Sequence, residues 1–342
     1  MSRLLVITTS YPSDNDDCAG HFVRAEVTRA LAEGHALTVI APRAARALAP
    51  ESHAVIGLTH LGAFGSPGAL TRLRKRPDRW LGAFIFVMTA RATMRKLGPF
   101  DRTLAHFLVP SLWPIATTAK GPVEVVVHGS DLRLFERLPS ALKHWILRPI
   151  RGQQLSFRCV SQELAGRLKA QLPKHENIVI RVEPSLIDVP ELPGKAELRR
   201  KLGVGVSEPL VVIVSRLVKG KRVEVALRAA AAAPNVNVVV CGDGPERQML
   251  AREFPRVHFC GQVPRLRALE WIAASDLVTS ASRDEGAPTV VREARALGVP
   301  VVATNAGDLA AWAQRDPGIF VANQDQDQDL KRLLLQVLNQ KQ

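Results

Sequence analysis

The chain has 342 residues, enough for two domains that each bury a core, and its 46% hydrophobic and 23% charged content is that of an ordinary globular protein. A formal net charge of +14, with a pI near 10.3, implies attraction to something anionic: nucleic acid, acidic lipid or a phosphorylated substrate. Aromatic residues are only 5%, and neither zinc-finger spacing nor an aromatic RNA-binding string occurs, so no nucleic-acid partner is expected. The opening MSRLLVITTS has LLVI as its apolar part, too short for a secretory or membrane-spanning segment, and a cytoplasmic location is expected. Cys18, Cys159, Cys241 and Cys260 lack C-x-x-C spacing and read as free thiols.

In chain order, Leu4 to Thr9 reads as a buried strand, followed by the turn-forming, acid-rich loop YPSDNDDCAGH, a helix from Phe22 to Leu31 and a strand from Ala36 to Ile40. Ala54 to Leu58 is a third strand. The stretch LTRLRKRPDRWLGAFIFVMTARATMRKLG carries eight Arg and Lys residues around an apolar run too short to span a bilayer. With Pro77 as the break, Arg72 to Arg76 reads as a mobile basic arm and Trp80 to Leu97 as a core helix, the alternative being a basic amphipathic surface on anionic lipid. Thr103 to His106 is a strand and Ser111 to Ala119 a helix. Val123 to Val127 is a β-branched strand that runs into His128-Gly129-Ser130-Asp131, where His128 either points into a crevice or caps the turn. Phe157 to Val160 is a strand, Ser161 caps a helix ending near Gln171, and Ile178 to Ile180 closes the first domain. The proline-rich segment VEPSLIDVPELPG reads as a linker, giving domains at 1–187 and 188–342.

The second half repeats the alternation: helices at Ala196 to Leu202, Val223 to Ala233, Glu246 to Phe254 and Leu266 to Ala274 separate strands at Leu210 to Val214, Val236 to Val240, Val257 to Cys260 and Ser275 to Thr279. Such alternation implies a parallel sheet covered on both faces. Arg216 and Lys221 follow one strand end in SRLVKGKR, where two cations suit a diphosphate or simply form a solvated basic loop. The glycines of Cys241-Gly242-Asp243-Gly244-Pro245 fit a turn. Glu285 and Glu293 stand eight positions apart, and a helix over Gly286 to Leu297 would separate them by about two turns and ~80°. Gly286 and Pro288 at its start leave backbone N–H groups open to an anion, and Val299 to Ala303 is the next strand.

The string from Glu285 through Glu293 to the Val299–Thr304 strand resembles the retaining glycosyltransferases of family 4, the glycosyl transferases group 1. The resemblance implies an α/β chain of GT-B fold, two doubly wound Rossmann-like domains facing each other across a cleft, the first on the acceptor side and the second binding the nucleotide sugar. Further matches are Gly20 in the first loop, the H-G-x-D string at His128, R-L-x-x-x-K at Arg216 and Lys221, and Gly261-Gln262-Val263. Departures are Ala19 before Gly20, Pro184-Ser185 in the linker, and Arg222 after Lys221, which leaves Lys219 as a rival to Lys221.

By that resemblance, Arg216, Lys221 and the N–H groups near Thr289 and Val290 would stabilise the leaving diphosphate. Glu293 would hold the ribose, Glu285 and Gly286 the moving sugar, and Gly261 and Val263 the base. His128 would hydrogen-bond the sugar near the reacting centre, and the departing phosphate would take the acceptor proton. The implied donor is a UDP- or GDP-sugar co-substrate, with no further cofactor and no metal. The acceptor is a glycan, a lipid-linked saccharide or a natural product, and the basic stretches fit peripheral contact with an anionic inner membrane face. A sugar-nucleotide epimerase of the same fold and a non-catalytic sugar-nucleotide-binding or membrane-scaffold protein are the alternatives.

Overall fold

The computed structural model describes the chain apart from residues 1, 14–16, 18, 44–52, 66–67, 110, 113–117, 148–153, 173–177 and 341–342. It divides into two compact units, Met1–Leu186 and Ile187–Gln342. In the first unit the elements are β1 (Arg3–Ile7), α1 (His21–Ala32), β2 (Ala36–Pro42), β3 (Ala54–Leu58), α2 (Ala69–Lys75), α3 (Trp80–Leu97) and β4 (Arg102–His106). Then come β5 (Val123–Val127), α4 (Ser130–Glu136), α5 (Ser140–Leu147), β6 (Leu155–Cys159), α6 (Gln162–Gln171) and β7 (Val179–Val182). The strands pair in the order β3-β2-β1-β4-β5-β6-β7, all parallel. Continuous β-branched runs such as VEVVV in β5, buried at every position, suit a sheet covered on both faces.

The second unit holds α7 (Lys195–Leu202), β8 (Leu210–Val214), α8 (Val223–Ala230), β9 (Asn237–Cys241), α9 (Arg247–Glu253), β10 (His258–Gly261) and α10 (Arg265–Ala274). It continues with β11 (Leu277–Ser280), α11 (Thr289–Ala296), β12 (Val301–Thr304), α12 (Leu309–Ala313), β13 (Ile319–Ala322) and α13 (Asp327–Asn339). Its sheet order is β10-β9-β8-β11-β12-β13, again parallel. Alternate residues of β8 face two cores. Val211 and Ile213 pack with Ala226 and Leu227 of α8 and Leu330 and Leu334 of α13, while Leu210 and Val212 pack with Ile272 of α10 and Val291 of α11. The last helix is therefore part of this unit's own core. In both sheets the strand order reverses once, at β1/β4 and at β8/β11, and parallel α/β sheets hold ligands beyond the strand ends at such reversals.

Several expectations change. The helix expected over Gly286 to Leu297 begins at Thr289, because Pro288 caps it in an extended conformation and proline disfavours helical geometry at Ala287 before it. The Arg72 to Arg76 arm is mostly helical, as α2, and ends where Arg76 is extended ahead of Pro77. Trp80 to Leu97 is a helix as expected, yet only one of its faces is buried. Of the Ser111 to Ala119 helix, residues 113–117 lie outside the described residues, as does Cys18; Cys159, Cys241 and Cys260 are free thiols. Strand β13 and the short helices α5 and α12 were not expected.

The buried Arg199 of α7 ties the second unit's first helix to its sheet. Its guanidinium donates to the carbonyls of Ala274 (3.0 Å), Val206 (2.6 Å) and Glu208 (3.1 Å) and to Asp276 Oδ2 (2.6 Å), which also accepts from Leu210 N–H (2.8 Å). Replacing Arg199 with Leu is expected to lower the unfolding free energy by about 3 kcal/mol, since it leaves the loop carbonyls without a donor and Asp276 with only Lys195 and the Leu210 N–H. Urea denaturation measures this, and a loss under about 1 kcal/mol would mean that the hub is not needed for stability.

Candidate active site

In the second unit the β8/β11 reversal brings together loops that lie far apart in sequence. The loop after β8 carries Arg216, exposed, and ends in a 3₁₀ turn, Lys219–Lys221. The loop after β11 carries Glu285 and Gly286. Lys221 Nζ donates to Glu285 Oε1, both side chains being mostly buried, and Arg283 N–H donates to Gly220 O at 3.3 Å, so side chain and backbone both join the two loops. A third loop closes on them from β12: a Cβ at Gly307 would fall 2.4 Å from Gly286 O and 2.7 Å from Glu285 O, an approach only glycine permits. On the other side, Leu217 N–H donates to Asp243 O at 2.9 Å, which fixes the Gly242–Gly244 turn against the Arg216 loop.

Glu293 lies on α11, about one turn beyond Thr289 and Val290, whose half-buried positions open the helix with backbone N–H groups that lack an intrahelical acceptor. The Glu293 carboxylate is buried and takes a hydrogen bond from Arg265 of α10 at 3.0 Å. Arg265 follows directly on the loop with Val263, half-buried, and Gly261, the last residue of β10, whose carbonyl accepts from Gly242 N–H at 2.8 Å. Glu293 is thus linked to the Gly261–Val263 loop, while Glu285 is linked to the lysine loop. Since α11 starts only at Thr289, Glu285 lies in the loop before it, and the spacing of two turns and ~80° expected from a helix over Gly286 to Leu297 does not hold.

In the first unit, Gly20 precedes α1 with φ of 74°, and a Cβ there would fall 2.4 Å from Ser10 O. Two residues on, the Phe22 ring packs 4.7 Å from that of His128, and Phe107, held at φ of 70°, packs on His128 at 4.7 Å as well. His128 Nε2 lies 3.1 Å from His106 Nδ1. Burial first, and then the nearby Arg158 charge, push the His128 imidazole down to about 3, so it is neutral near pH 7. Buried Asp131 anchors this turn: Oδ1 accepts from the N–H groups of His128 (3.1 Å) and Gly129 (2.8 Å), and Oδ2 accepts from Leu108 N–H (2.7 Å). It organises the strand-to-helix turn and also accepts from its own N–H and that of Leu132 at the start of α4.

The structure thus brings Lys221, Arg216, Glu285, Gly286, Thr289 and Val290 to one sheet edge of the second unit and Gly261, Val263 and Glu293 to the adjoining loop. Gly20 and His128 sit at the reversal of the first unit. Sequence reading missed Arg265, Gly307 and His106. Only His106 carried a signal, since it ends a buried strand, much as His128 directly follows one.

Residues 194–342 match the family described as glycosyl transferases group 1. TuaC of Bacillus subtilis, a glycosyltransferase named for teichuronic acid biosynthesis, is 28% identical over 333 residues, covering 90% of this chain and 82% of its own. A Corynebacterium glutamicum protein named as a GDP-mannose-dependent monoacylated alpha-(1-6)-phosphatidylinositol monomannoside mannosyltransferase is 28% identical over 249 residues, 66% of this chain and 64% of that one. Among solved structures, Anabaena HepE in complex with UDP and glucose shares the fold, with a TM-score of 0.67 at 18% identity over 100% of this chain and 91% of that one. Two parallel Rossmann-like sheets, and a carboxyl-terminal unit whose residues 194–342 match the glycosyl transferases group 1, make the chain a glycosyltransferase of GT-B fold.

Proposed function

We propose that the protein moves a glycosyl unit from a UDP- or GDP-linked sugar to a hydroxyl of a saccharide, lipid-linked or small-molecule acceptor, with retention at the anomeric carbon and without a metal ion. The observation that carries this reading is the convergence at the β8/β11 reversal of Lys221 with Glu285, beside Arg216 and the start of α11. Cations and helix-start N–H groups suit a leaving diphosphate, whose charge grows as the glycosidic bond breaks. Lys221 is the better phosphate ligand of the two candidates, since it points to the Glu285 loop while Lys219 is exposed. In this reading residues 188–342 bind the donor, with Glu293 on the ribose, Gly261 and Val263 at the base, and Glu285 and Gly286 on the sugar. Residues 1–187 take the acceptor, while Gly20 in the first loop approaches the donor and His128 hydrogen-bonds the transferred sugar. Donor use by relatives supports both bases, GDP-mannose in the name of the corynebacterial protein and UDP in the HepE complex.

Peripheral contact with an anionic membrane belongs to the same reading. Helix α3 exposes Trp80 (51%), Leu81 (59%), Phe84 (59%) and Met88 (39%), positions that fall on one helical face, while Phe86, Val87, Ala90 and Met94 face the core. Leu61 (54% exposed) adjoins this face, because a Cβ at Gly82 would fall 2.0 Å from His60 O and 2.9 Å from the Leu61 side chain. Exposed Arg74, Lys75 and Arg76 precede it on α2 and the turn, and Arg95 and Lys96 follow. A bilayer surface rich in acidic lipid matches both parts, apolar residues entering the interface and cations pairing with headgroups. No helix among the described residues is long and apolar enough to cross a membrane.

Replacing Glu285 or Arg216 with Ala is expected to lower kcat for sugar transfer by about 100-fold or more; transfer at the parent rate by either variant would remove that residue from the machinery. A thermal-shift panel of UDP-, GDP- and ADP-sugars should raise the Tm with one base only, and transfer should persist in excess chelator. Vesicles containing phosphatidylglycerol should co-sediment the protein more than phosphatidylcholine vesicles do, and a Trp80→Ser/Phe84→Ser variant should lose about tenfold in binding. Equal binding to both vesicle types, or an unaffected variant, would overturn the membrane assignment.

A further inference from the structure

Behind His128 the first unit buries a line of ionisable side chains that sugar binding alone does not require. The imidazoles of His128 and His106 stack at 5.4 Å between centroids and 18° between planes, with His128 Nε2 facing His106 Nδ1 at 3.1 Å. On its far side, His106 Nε2 lies 3.3 Å from Glu26 Oε2 of α1. Arg158 of β6 donates to Glu26 Oε1 and lies 2.9 Å from Glu124 Oε1 of β5, whose other oxygen pairs with Arg102 of β4. His106 and Arg158 are almost wholly buried, and charges held there cost several kcal/mol each unless paired.

We propose that His106 is a positioning residue that fixes His128 in the Nε2–H tautomer, leaving His128 Nδ1 as an acceptor for a substrate hydroxyl. The proton count leads there. A neutral imidazole has one N–H and one acceptor nitrogen, and the hydrogen bond at one nitrogen decides the state of the other. Burial keeps both rings neutral near pH 7, first through desolvation and then through the neighbouring positive charges. Burial raises the Glu26 carboxyl and the Arg158 guanidinium opposes that rise, and it is the ion pair with Arg158 at Oε1 that favours the carboxylate form. The Glu26 charge 3.3 Å from His106 Nε2, an ion-pair contact and not an aligned hydrogen bond, draws the His106 proton to that nitrogen, so Nδ1 accepts. His128 Nε2 must then donate to it. A hydroxyl that donates to His128 Nδ1 meets a fixed acceptor, whereas the opposite tautomer would present an N–H there.

This inference rests on the role given to His128 above, and the test separates the two. Long-range proton–nitrogen correlation NMR on isotopically labelled histidine should find His128 protonated at Nε2 in the parent protein, its signals assigned by their loss in His128→Gln. His106→Phe keeps the stacked ring but removes the acceptor, so His128 should shift to a mixture of tautomers and kcat should fall about tenfold, the scale of one lost hydrogen bond, with donor KM nearly unchanged. His106→Asn, whose side-chain oxygen can stand where Nδ1 stood, should restore the Nε2–H form and bring kcat to within about threefold of the parent. A parent His128 protonated at Nδ1, or a tautomer unmoved in His106→Phe, would overturn the proposal. If His106→Phe does not fold, the parent spectrum and the Asn variant still decide it. A His128→Ala protein that transfers sugar at the parent rate would sink the role of His128 while leaving the tautomer assignment intact.

Discussion

The ion pair between Lys221 and Glu285 is the contact through which the second unit's site holds together. It exists because β8 and β11 are sheet neighbours although their end loops are 64 positions apart, which follows from the reversal of strand order between them. Take away that reversal and the two loops would leave the sheet at separate places. With it, a cation and a carboxylate meet in a partly dehydrated setting, where Coulomb attraction is stronger than at an open surface. Under the proposed reading a diphosphate would compete with Glu285 for Lys221 and release the carboxylate for sugar hydroxyls, so one contact links the two halves of donor recognition.

Buried charge does different work in the two units. Arg199 is saturated: carbonyls and Asp276 satisfy its guanidinium, and the group ends where it begins, as a clamp between helix and sheet. The Arg102–Glu124–Arg158–Glu26 series instead runs beneath the β1/β4 reversal and terminates at a pair of neutral imidazoles. A closed hub can only stabilise. A series with a neutral, polar end also orients, because the end nitrogen inherits its proton state from the charges below it.

How much of this was legible in the sequence depended on the range of the forces involved. Strands such as VEVVV and LVVIV announce themselves, since a run buried on both faces is nearly all β-branched and apolar, with the paired Glu124 as the exception. Ser161 was readable as a helix cap because its hydroxyl accepts from Leu164 N–H, three residues on, a purely local bond. The start of α11 was misplaced by treating Gly286 as helical, when Pro288 and its effect on Ala287 set the boundary. Strand β13 is four residues, IFVA, with little pattern to read, and only its pairing with β12 makes it a strand. The loops that carry Arg216, Lys221, Glu285 and His128 could be found from strand ends and turn residues. Their partners could not, since Arg265 reaches Glu293 across 28 positions and His106 reaches His128 across 22, distances that only the sheet order brings together.

Helix α3 marks a different limit of sequence reading. Its apolar content is high all round, which hydropathy alone takes as burial, and the split between Phe86 and Val87 on one side and Trp80, Phe84 and Met88 on the other emerges only once the helix is seated by Gly82 on the His60–Leu61 loop. A helix with two apolar faces has two apolar environments to satisfy. The protein core supplies one, and under the proposed reading the cations that flank the other would suit a charged lipid surface. The excess of basic residues that first set the chain apart is in this way partly a local property, concentrated where eight Arg and Lys residues surround α3 with Asp78 the sole acid among them.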